Sequence, residues 1–208
     1  MSQGQQEIET SSADTHVEKF TSEKASVQNE IDYPPAHTVH LVMGGIFLTA
    51  FLVALDRTIL GTAIPKITNE FDSLSDVGWY GSAYLLTSSA FQLVFSRVYG
   101  FYNPKTVFLL QLGLFELGSA LCGASPNSPV LIVGRAIAGM GSAGIYAGAI
   151  VIIVRILPLE KRPLYTGFFG LIFGLASVTG PLLGGALTDS IGWRWCCKYI
   201  VEILSCFN

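Results

Sequence analysis

The sequence is poor in charge. Asp, Glu, Lys and Arg together make up 13% of its 208 residues, which is about half the share that soluble domains carry. Hydrophobic residues make up 50%, so few charged side chains are left to cover a soluble fold of this size. Lys and Arg form no stripe that would predict contact with a nucleic acid. We therefore expect a membrane protein whose first partner is the lipid bilayer.

Cysteine and histidine are also scarce, and their placement argues against metal sites and catalysis. The four cysteines show no CxxC spacing and are too sparse for a disulfide framework. The three histidines lie in the N-terminal tail or at the start of the first hydrophobic segment, away from any cluster that could hold a metal or activate water. We expect no metal, no cofactor and no enzymatic activity. The residues concerned are Cys122, Cys196, Cys197, Cys206, His16, His37 and His40.

Hydrophobic segments occupy most of the chain after residue 37. Residues 1–37 hold seven acids and only two lysines among Ser, Thr and Gln, a composition that predicts a disordered tail. Each later segment is long enough to cross the hydrocarbon core as a helix, which takes about 20 apolar residues. The predicted helices cover residues 38–64, 77–96, 106–124, 129–154 and 164–188. The predicted fold class is therefore an all-α integral membrane protein built as a helical bundle.

The basic residues around these segments predict the orientation of the chain. The connections after the second and fourth segments contain five basic residues, and the opposite side contains two. By the positive-inside rule, these connections and the N-terminal tail face the cytoplasm. The five are Arg97, Lys105, Arg155, Lys161 and Arg162, and the two are Lys66 and Arg194.

Two charged positions lie near the ends of predicted spans, where a charge is costly unless it is paired or hydrated. Asp56 and Arg57 come late in the first segment. Two interpretations are open. Either the pair lies at the outer interface of the membrane, or Asp56 lies inside the membrane as a carboxylate that takes up and releases a proton. Arg135 lies roughly 9 Å into the fourth segment. It either reaches back to the surface or, because Gly139 shares its helix face, points into the bundle.

Glu116 is the third ionisable residue inside a span, near the middle of the third segment. A buried carboxyl at this depth needs a partner or water. Glu116 therefore either makes a structural hydrogen bond to a neighbouring helix or forms part of a proton pathway. The sequence leaves both interpretations open.

Small residues at four-residue spacing mark the fourth and fifth segments. Gly144 and Gly148 in the fourth segment, like Gly170 and Gly174 in the fifth, predict close helix packing, because small side chains let backbones approach in lipid. Pro181 removes a helix hydrogen bond beside three glycines at positions 180, 184 and 185. This cluster forms either a bendable helix at a moving interface or a rigid close contact.

These motifs together resemble the drug:proton antiporter branch of the major facilitator superfamily, in particular its fourteen-helix fungal-type exporters. Residues 55–65, with Asp56 at their start, are similar to the first-helix motif. Gly134-Arg135 with Gly139 resembles the fourth-helix motif, whose arginine is implicated in proton coupling. The fifth-helix antiporter motif is matched with alanine in place of one glycine. The matching residues there are Gly167, Ala176, Gly180, Pro181, Gly184 and Gly185.

The resemblance covers residues 38–196 and implies the first five helices of the N-terminal half of such a transporter. It implies export of small, mostly apolar drugs or toxins in exchange for protons, from the plasma membrane. Asp56 would be the titrating group and Arg135 its electrostatic partner, with Glu116 also on the proton or substrate pathway. Pro181 and the surrounding glycines would form a helix surface that reshapes between states.

Two places depart from the family pattern. In the cytoplasmic loop motif, Arg97 and Lys105 supply basic residues, but Ser96 takes the glycine position and Gly100 the position of the acid. The acid to which the family's conformational lock is assigned is therefore replaced by glycine in this sequence.

After Cys196, residues 197–208 are too short and too charged to form the sixth helix. Family members need two six-helix halves with the substrate between them. We therefore expect an N-terminal fragment with an aberrant C-terminal stub. The alternative to an exporter is a truncated, transport-inactive membrane fragment of one.

Overall fold

Five long helices form the described part of the chain, which a computed structural model provides for residues 36–190. A single-turn 3₁₀ helix, Leu74–Asp76, joins the first two. The predicted stub and residues 1–35 of the predicted tail lie outside the described residues. The helices are α1 Ala36–Phe71, α2 Val77–Phe101, α3 Pro104–Gly123, α4 Ser128–Ile156 and α5 Arg162–Ser190.

Asparagine and proline fix the start of two helices. The side chain of Asn103 accepts a hydrogen bond from the backbone N–H of Lys105, and that of Asn127 accepts one from Val130. A proline follows each asparagine within two residues. Asparagine caps a free backbone donor, and proline is tolerated in the first turn because its missing N–H has no helical partner there. The connections before α3 and α4 are therefore short.

Helix α1 extends further than its sequence predicts. The prediction ended it at Ile64, before Pro65, whereas the structure continues it to Phe71. Proline removes one hydrogen bond from the helix interior. Tertiary packing offsets that loss, because Ala63 and Ile67, on either side of Pro65, are both buried in one apolar cluster.

Among the described residues, four helices are long and apolar enough to cross a membrane. Helix α2 is outside this set, although its 25 residues are sufficient in length. Its Ser, Tyr and Gly residues lower its hydropathy, so its membrane span stays a prediction. The four ranges are His37–Phe71, Pro104–Gly123, Ser128–Ile156 and Arg162–Ala186.

Helix α4 lies against both α2 and α3. Its glycines make this possible: a Cβ placed on Gly141 would lie 2.8 Å from the Cα of Phe115 on α3. Gly118 on α3 has the same relation to Ala138 on α4, whose Cα would lie 2.7 Å from the added carbon. Such distances are below van der Waals contact, so the backbones approach closely only because these side chains are absent.

The outward faces of the helices carry large apolar side chains. Leu93 is 78% exposed, Leu182 is 69% exposed and Leu110 is 67% exposed. Soluble monomers rarely expose apolar patches of this extent, whereas lipid chains solvate them well. The surface therefore fits a bundle embedded in a bilayer.

Candidate functional site

A buried ion pair joins α1 to α4. Nη1 of Arg135 donates a hydrogen bond to Oδ2 of Asp56 at 2.6 Å, and each side chain is 4% exposed. Asp56 lies about 30 Å along α1, near its middle, and Arg135 about 10 Å into α4. The structure thus places Asp56 inside the bundle while its neighbour Arg57 stays exposed. A charge pair at this depth satisfies two groups that would each be costly alone.

Tyr84 of α2 packs against this ion pair. The guanidinium carbon of Arg135 lies 4.5 Å from the centre of the Tyr84 ring, and that of Arg57 lies 5.5 Å from it. A cation over an aromatic face is attracted by the ring quadrupole, more strongly where water is excluded. Tyr84 is 1% exposed. The ring therefore adds to the stabilisation that Asp56 gives to the charge of Arg135.

Gly139 brings α2 and α4 close enough for this contact. A Cβ on Gly139 would lie 2.9 Å from the Cα of Tyr84, and it would also overlap the Tyr84 carbonyl and Thr87. Arg135 is one helical turn earlier on the same face of α4. The absence of a side chain at Gly139 therefore sets the distance between the Arg135 guanidinium and the Tyr84 ring.

Several buried polar atoms near the pair have no hydrogen-bond partner within the part of the chain that the structure describes. They include Nε of Arg135 and the hydroxyl of Tyr146, and the Tyr146 ring stacks on Phe173 of α5 with 5.7 Å between the ring centres. Buried donors of this kind are costly unless another group satisfies them. The surroundings of the pair therefore have hydrogen-bonding capacity to spare, as a site for a proton or a polar ligand group requires.

Helices α1 and α5 meet through two threonines and two glycines. Thr58 Oγ1 lies 3.2 Å from the carbonyl of Ala176, and its one proton is shared between that carbonyl and two carbonyls of its own helix, Leu55 at 3.0 Å and Ala54 at 3.1 Å. A Cβ on Gly180 would overlap Thr58, and one on Gly184 would overlap Thr62. These are two of the predicted packing glycines, and both lie against the same stretch of α1 as Asp56.

The other predicted residues of α5 face elsewhere. A Cβ on Gly167 or Gly185 would meet no atom within 4 Å in the described part of the chain. Pro181 is exposed and lies inside a continuous helix. The structure thus brings Gly180 and Gly184 to α1, and leaves Gly167, Pro181 and Gly185 on open faces.

The remaining predicted residues lie apart from the ion pair. Glu116 of α3 is half-buried; its Oε1 has no hydrogen-bond partner among the described residues, and no hydrogen bond joins it to Asp56 or Arg135. Arg97, on α2, and Lys105, on α3, are exposed near the α2–α3 connection. Across residues 36–190, no three His, Cys, Asp or Glu side chains lie close enough to hold a metal ion.

Sequence reasoning missed Tyr84 and Tyr146, and it included Thr58 only as one position of the first-helix motif. An aromatic residue or a threonine in an apolar segment is ordinary, so neither stands out by composition. The one available signal for Tyr84 is its spacing of four from Tyr80, which places two phenols on one face of α2.

Comparisons with known proteins agree on the family. Residues 46–207 match the sequence profile of the Major Facilitator Superfamily. The MFS-type transporter VdtG of Byssochlamys spectabilis is 57% identical over 166 residues, 80% of this chain and 30% of that protein. The MFS-type efflux pump MFS1 of Trichophyton rubrum is 60% identical over 156 residues, 75% of this chain and 29% of the pump. The efflux pump aflT of Aspergillus parasiticus is 56% identical over 158 residues, 76% of this chain and 31% of that protein. The chain spans about 30% of the length of these relatives.

The fold also matches a solved transporter structure. A bacterial homolog to the human lysosomal transporter Spinster, in an inward-facing and unoccupied conformation, superposes with a TM-score of 0.70 at 20% identity, over 84% of this chain and 44% of that one. At that identity the likeness shows the fold alone. The predicted all-α membrane bundle is thus confirmed, and the family consists of transporters rather than enzymes. The chain belongs to the major facilitator superfamily.

Proposed function

We propose that this chain supplies the first helices of an exporter that moves small, mostly apolar compounds out of the cell in exchange for protons. The observation that carries the proposal is the buried pair of Asp56 on α1 and Arg135 on α4. Export is supported by the relatives MFS1 and aflT, which are named efflux pumps. Because the chain spans about 30% of their length, the activity of the whole transporter is part of the proposal.

Protonation of Asp56 would change the attraction between α1 and α4. In the ionised state, the carboxylate and Arg135 attract each other through a medium of low dielectric constant, where charges interact strongly. A neutral carboxyl keeps at most a hydrogen bond to the arginine. One proton therefore alters the free energy that holds the two helices together, and proton uptake becomes linked to their movement.

The neighbouring contacts indicate where this movement would be transmitted. Asp56 is half a turn from Thr58, which bonds to Ala176 of α5 and faces Gly180. A shift of α1 would therefore change the α1–α5 interface as well. Substrates of transporters with this architecture bind near the bilayer midplane, between the two halves. A place for Glu116 on the proton pathway stays a prediction.

A chimaera tests proton coupling with a complete transporter. The matched 156 residues of the Trichophyton rubrum efflux pump MFS1 are replaced by those of this chain, and everted membrane vesicles are incubated in a fluorescent apolar dye. With an acidic vesicle interior, we expect dye uptake that stops when an ionophore collapses the proton gradient. Dye uptake that continues unchanged after the proton gradient has collapsed would show that protons do not drive export.

Orientation is tested by N-glycosylation, since the chain contains no Asn-x-Ser/Thr acceptor with x other than proline. An acceptor inside a 20-residue insert is placed either in the tail at residue 20 or in the α3–α4 connection at residue 125. The positive-inside rule predicts a glycosylated connection and an unmodified tail in microsomes. A glycosylated tail would place the N-terminus on the other side of the membrane.

A further inference from the structure

A cavity of about 630 Å³ opens between α1, α3 and α4. It lies at the end of the bundle where α1 and α3 begin and α4 ends. The volume falls in the range of sites that hold small organic molecules. Apolar side chains of all three helices form most of its wall. They include Leu41, Val42, Ile46, Leu109, Leu112 and Ile156.

Two cations line this cavity at the helix ends. Lys105 is the second residue of α3, and Arg155 is the last but one of α4, so both lie at the level where the helices leave the hydrocarbon. Both are exposed. Arg155 donates one long hydrogen bond, of 3.3 Å, to the carbonyl of Tyr99, and its other N–H donors have no partner among residues 36–190. No Asp or Glu is among the described residues that line it.

Gly45 of α1 lines the cavity without a side chain. A Cβ on this residue would meet no atom within 4 Å in the described part of the chain. One turn further on, Thr49 turns its hydroxyl to its own helix, where it donates to the Gly45 carbonyl at 2.9 Å. The wall on this side is therefore a smooth apolar groove whose polar atoms are already satisfied.

We propose that this cavity binds an anionic phospholipid. Its phosphate would lie between Lys105 and Arg155, and one acyl chain would run along the apolar wall formed by α1 and α3. A free phosphate would leave that wall without a partner, and a zwitterionic lipid would gain less from two cations. Basic pockets between membrane helices at the headgroup level recognise lipids in this way. The proposal uses the membrane placement of the helices and does not depend on proton coupling.

Binding is measured by native mass spectrometry of the purified 208-residue chain, titrated with phosphatidylserine and with phosphatidylcholine of equal chain length. Each cation near the surface raises the affinity for an anionic lipid by roughly fivefold. We therefore expect phosphatidylserine to bind about 30-fold more tightly than phosphatidylcholine. Inorganic phosphate at the same concentration is expected not to compete.

Variants separate this site from general surface charge. The double variant Lys105→Gln with Arg155→Gln is expected to lose the preference, and Arg155→Lys alone to keep most of it. Gly45→Phe fills the groove without touching a cation and is expected to weaken both lipids. Lys161→Gln removes an exposed charge at the same end of the bundle, outside the cavity, and should change nothing.

Three results would overturn the proposal. Equal affinity for the two lipids removes the role of the cations, and competition by inorganic phosphate removes the role of the acyl chain. An equal loss in Lys161→Gln shows a diffuse effect of charge instead of a site. Circular dichroism of each variant shows that its helices are formed. Because binding is the readout, none of these results depends on whether the chimaeric exporter transports.

Discussion

Asp56→Asn is expected to destabilise the helix bundle by about 3–5 kcal/mol, because it leaves the buried charge of Arg135 without its partner. Arg135 is 3% exposed, so water cannot replace the lost carboxylate. The free energy of unfolding is measured in detergent by denaturant titration, with the helix signal in circular dichroism as the readout. In the chimaeric exporter, the same change is expected to abolish the dependence of dye uptake on the proton gradient.

The double variant Asp56→Asn with Arg135→Gln decides whether the pair acts as a unit. Since it removes both charges, it is expected to be more stable than Asp56→Asn alone. Arg57→Gln is the matched control: it removes the adjacent but exposed charge and its contact with the Tyr84 ring, and should change the free energy of unfolding by at most about 1 kcal/mol. If the stability losses of Asp56→Asn alone and Arg135→Gln alone add up to the loss of the double variant, the ion pair contributes no coupling energy.

Gly118→Ala is the second change with a large expected effect, despite adding only one carbon atom. That carbon would lie 2.7 Å from the Cα and 2.8 Å from the Cβ of Ala138, so α3 and α4 would have to separate. Overpacking of this kind costs about 1–3 kcal/mol. We expect a lower denaturation midpoint in detergent and a larger share of aggregated protein in size-exclusion chromatography.

Gly113→Ala gives the control in the same helix. A Cβ on Gly113 would meet no atom within 4 Å in the part of the chain that the structure describes, so only helix propensity changes there. Alanine is favoured over glycine by up to about 1 kcal/mol in a helix interior. Gly113→Ala should therefore leave stability unchanged or raise it. If Gly118→Ala and Gly113→Ala lose stability equally, the close approach of Ala138 to Gly118 does not explain the loss in Gly118→Ala.

Much of the fold could be predicted from the sparse charges of the sequence. Each long apolar segment corresponds to one of the described helices, because spanning lipid demands apolar residues over about 20 positions. The end of α1 could not be predicted in this way. Proline at position 65 indicates a helix end locally, and only the packing of Ala63 and Ile67 against distant residues reverses that preference.

The sequence indicated both residues of the ion pair but did not predict the contact between them. Asp56 and Arg135 stand out separately as charges in apolar segments, but 79 residues separate them, so no local pattern predicts that they touch. Tyr84 carries no such signal. Its role depends on how closely α2 approaches α4 at Gly139, which is a property of the packed bundle.

Glycine spacing predicted close packing without showing which glycines take part. Gly180 and Gly184 lie against α1, while Gly167 and Gly185, from the same motif, face open space in the described structure. Neighbours in a helix differ in direction by about 100°, so one motif presents glycines to several faces. Which face is covered depends on where the other helices lie.

The Asp56–Arg135 pair also constrains how α1 can turn about its own axis. A rotation of about 100° in one direction would replace Asp56 by Leu55, an apolar residue, opposite Arg135. The same rotation in the other direction would bring Arg57, a second positive charge. Both orientations are unfavourable, so α1 has one electrostatically allowed angle as long as the carboxylate is charged. A single side chain thus fixes the azimuth of a 36-residue helix whose other inward positions are largely apolar.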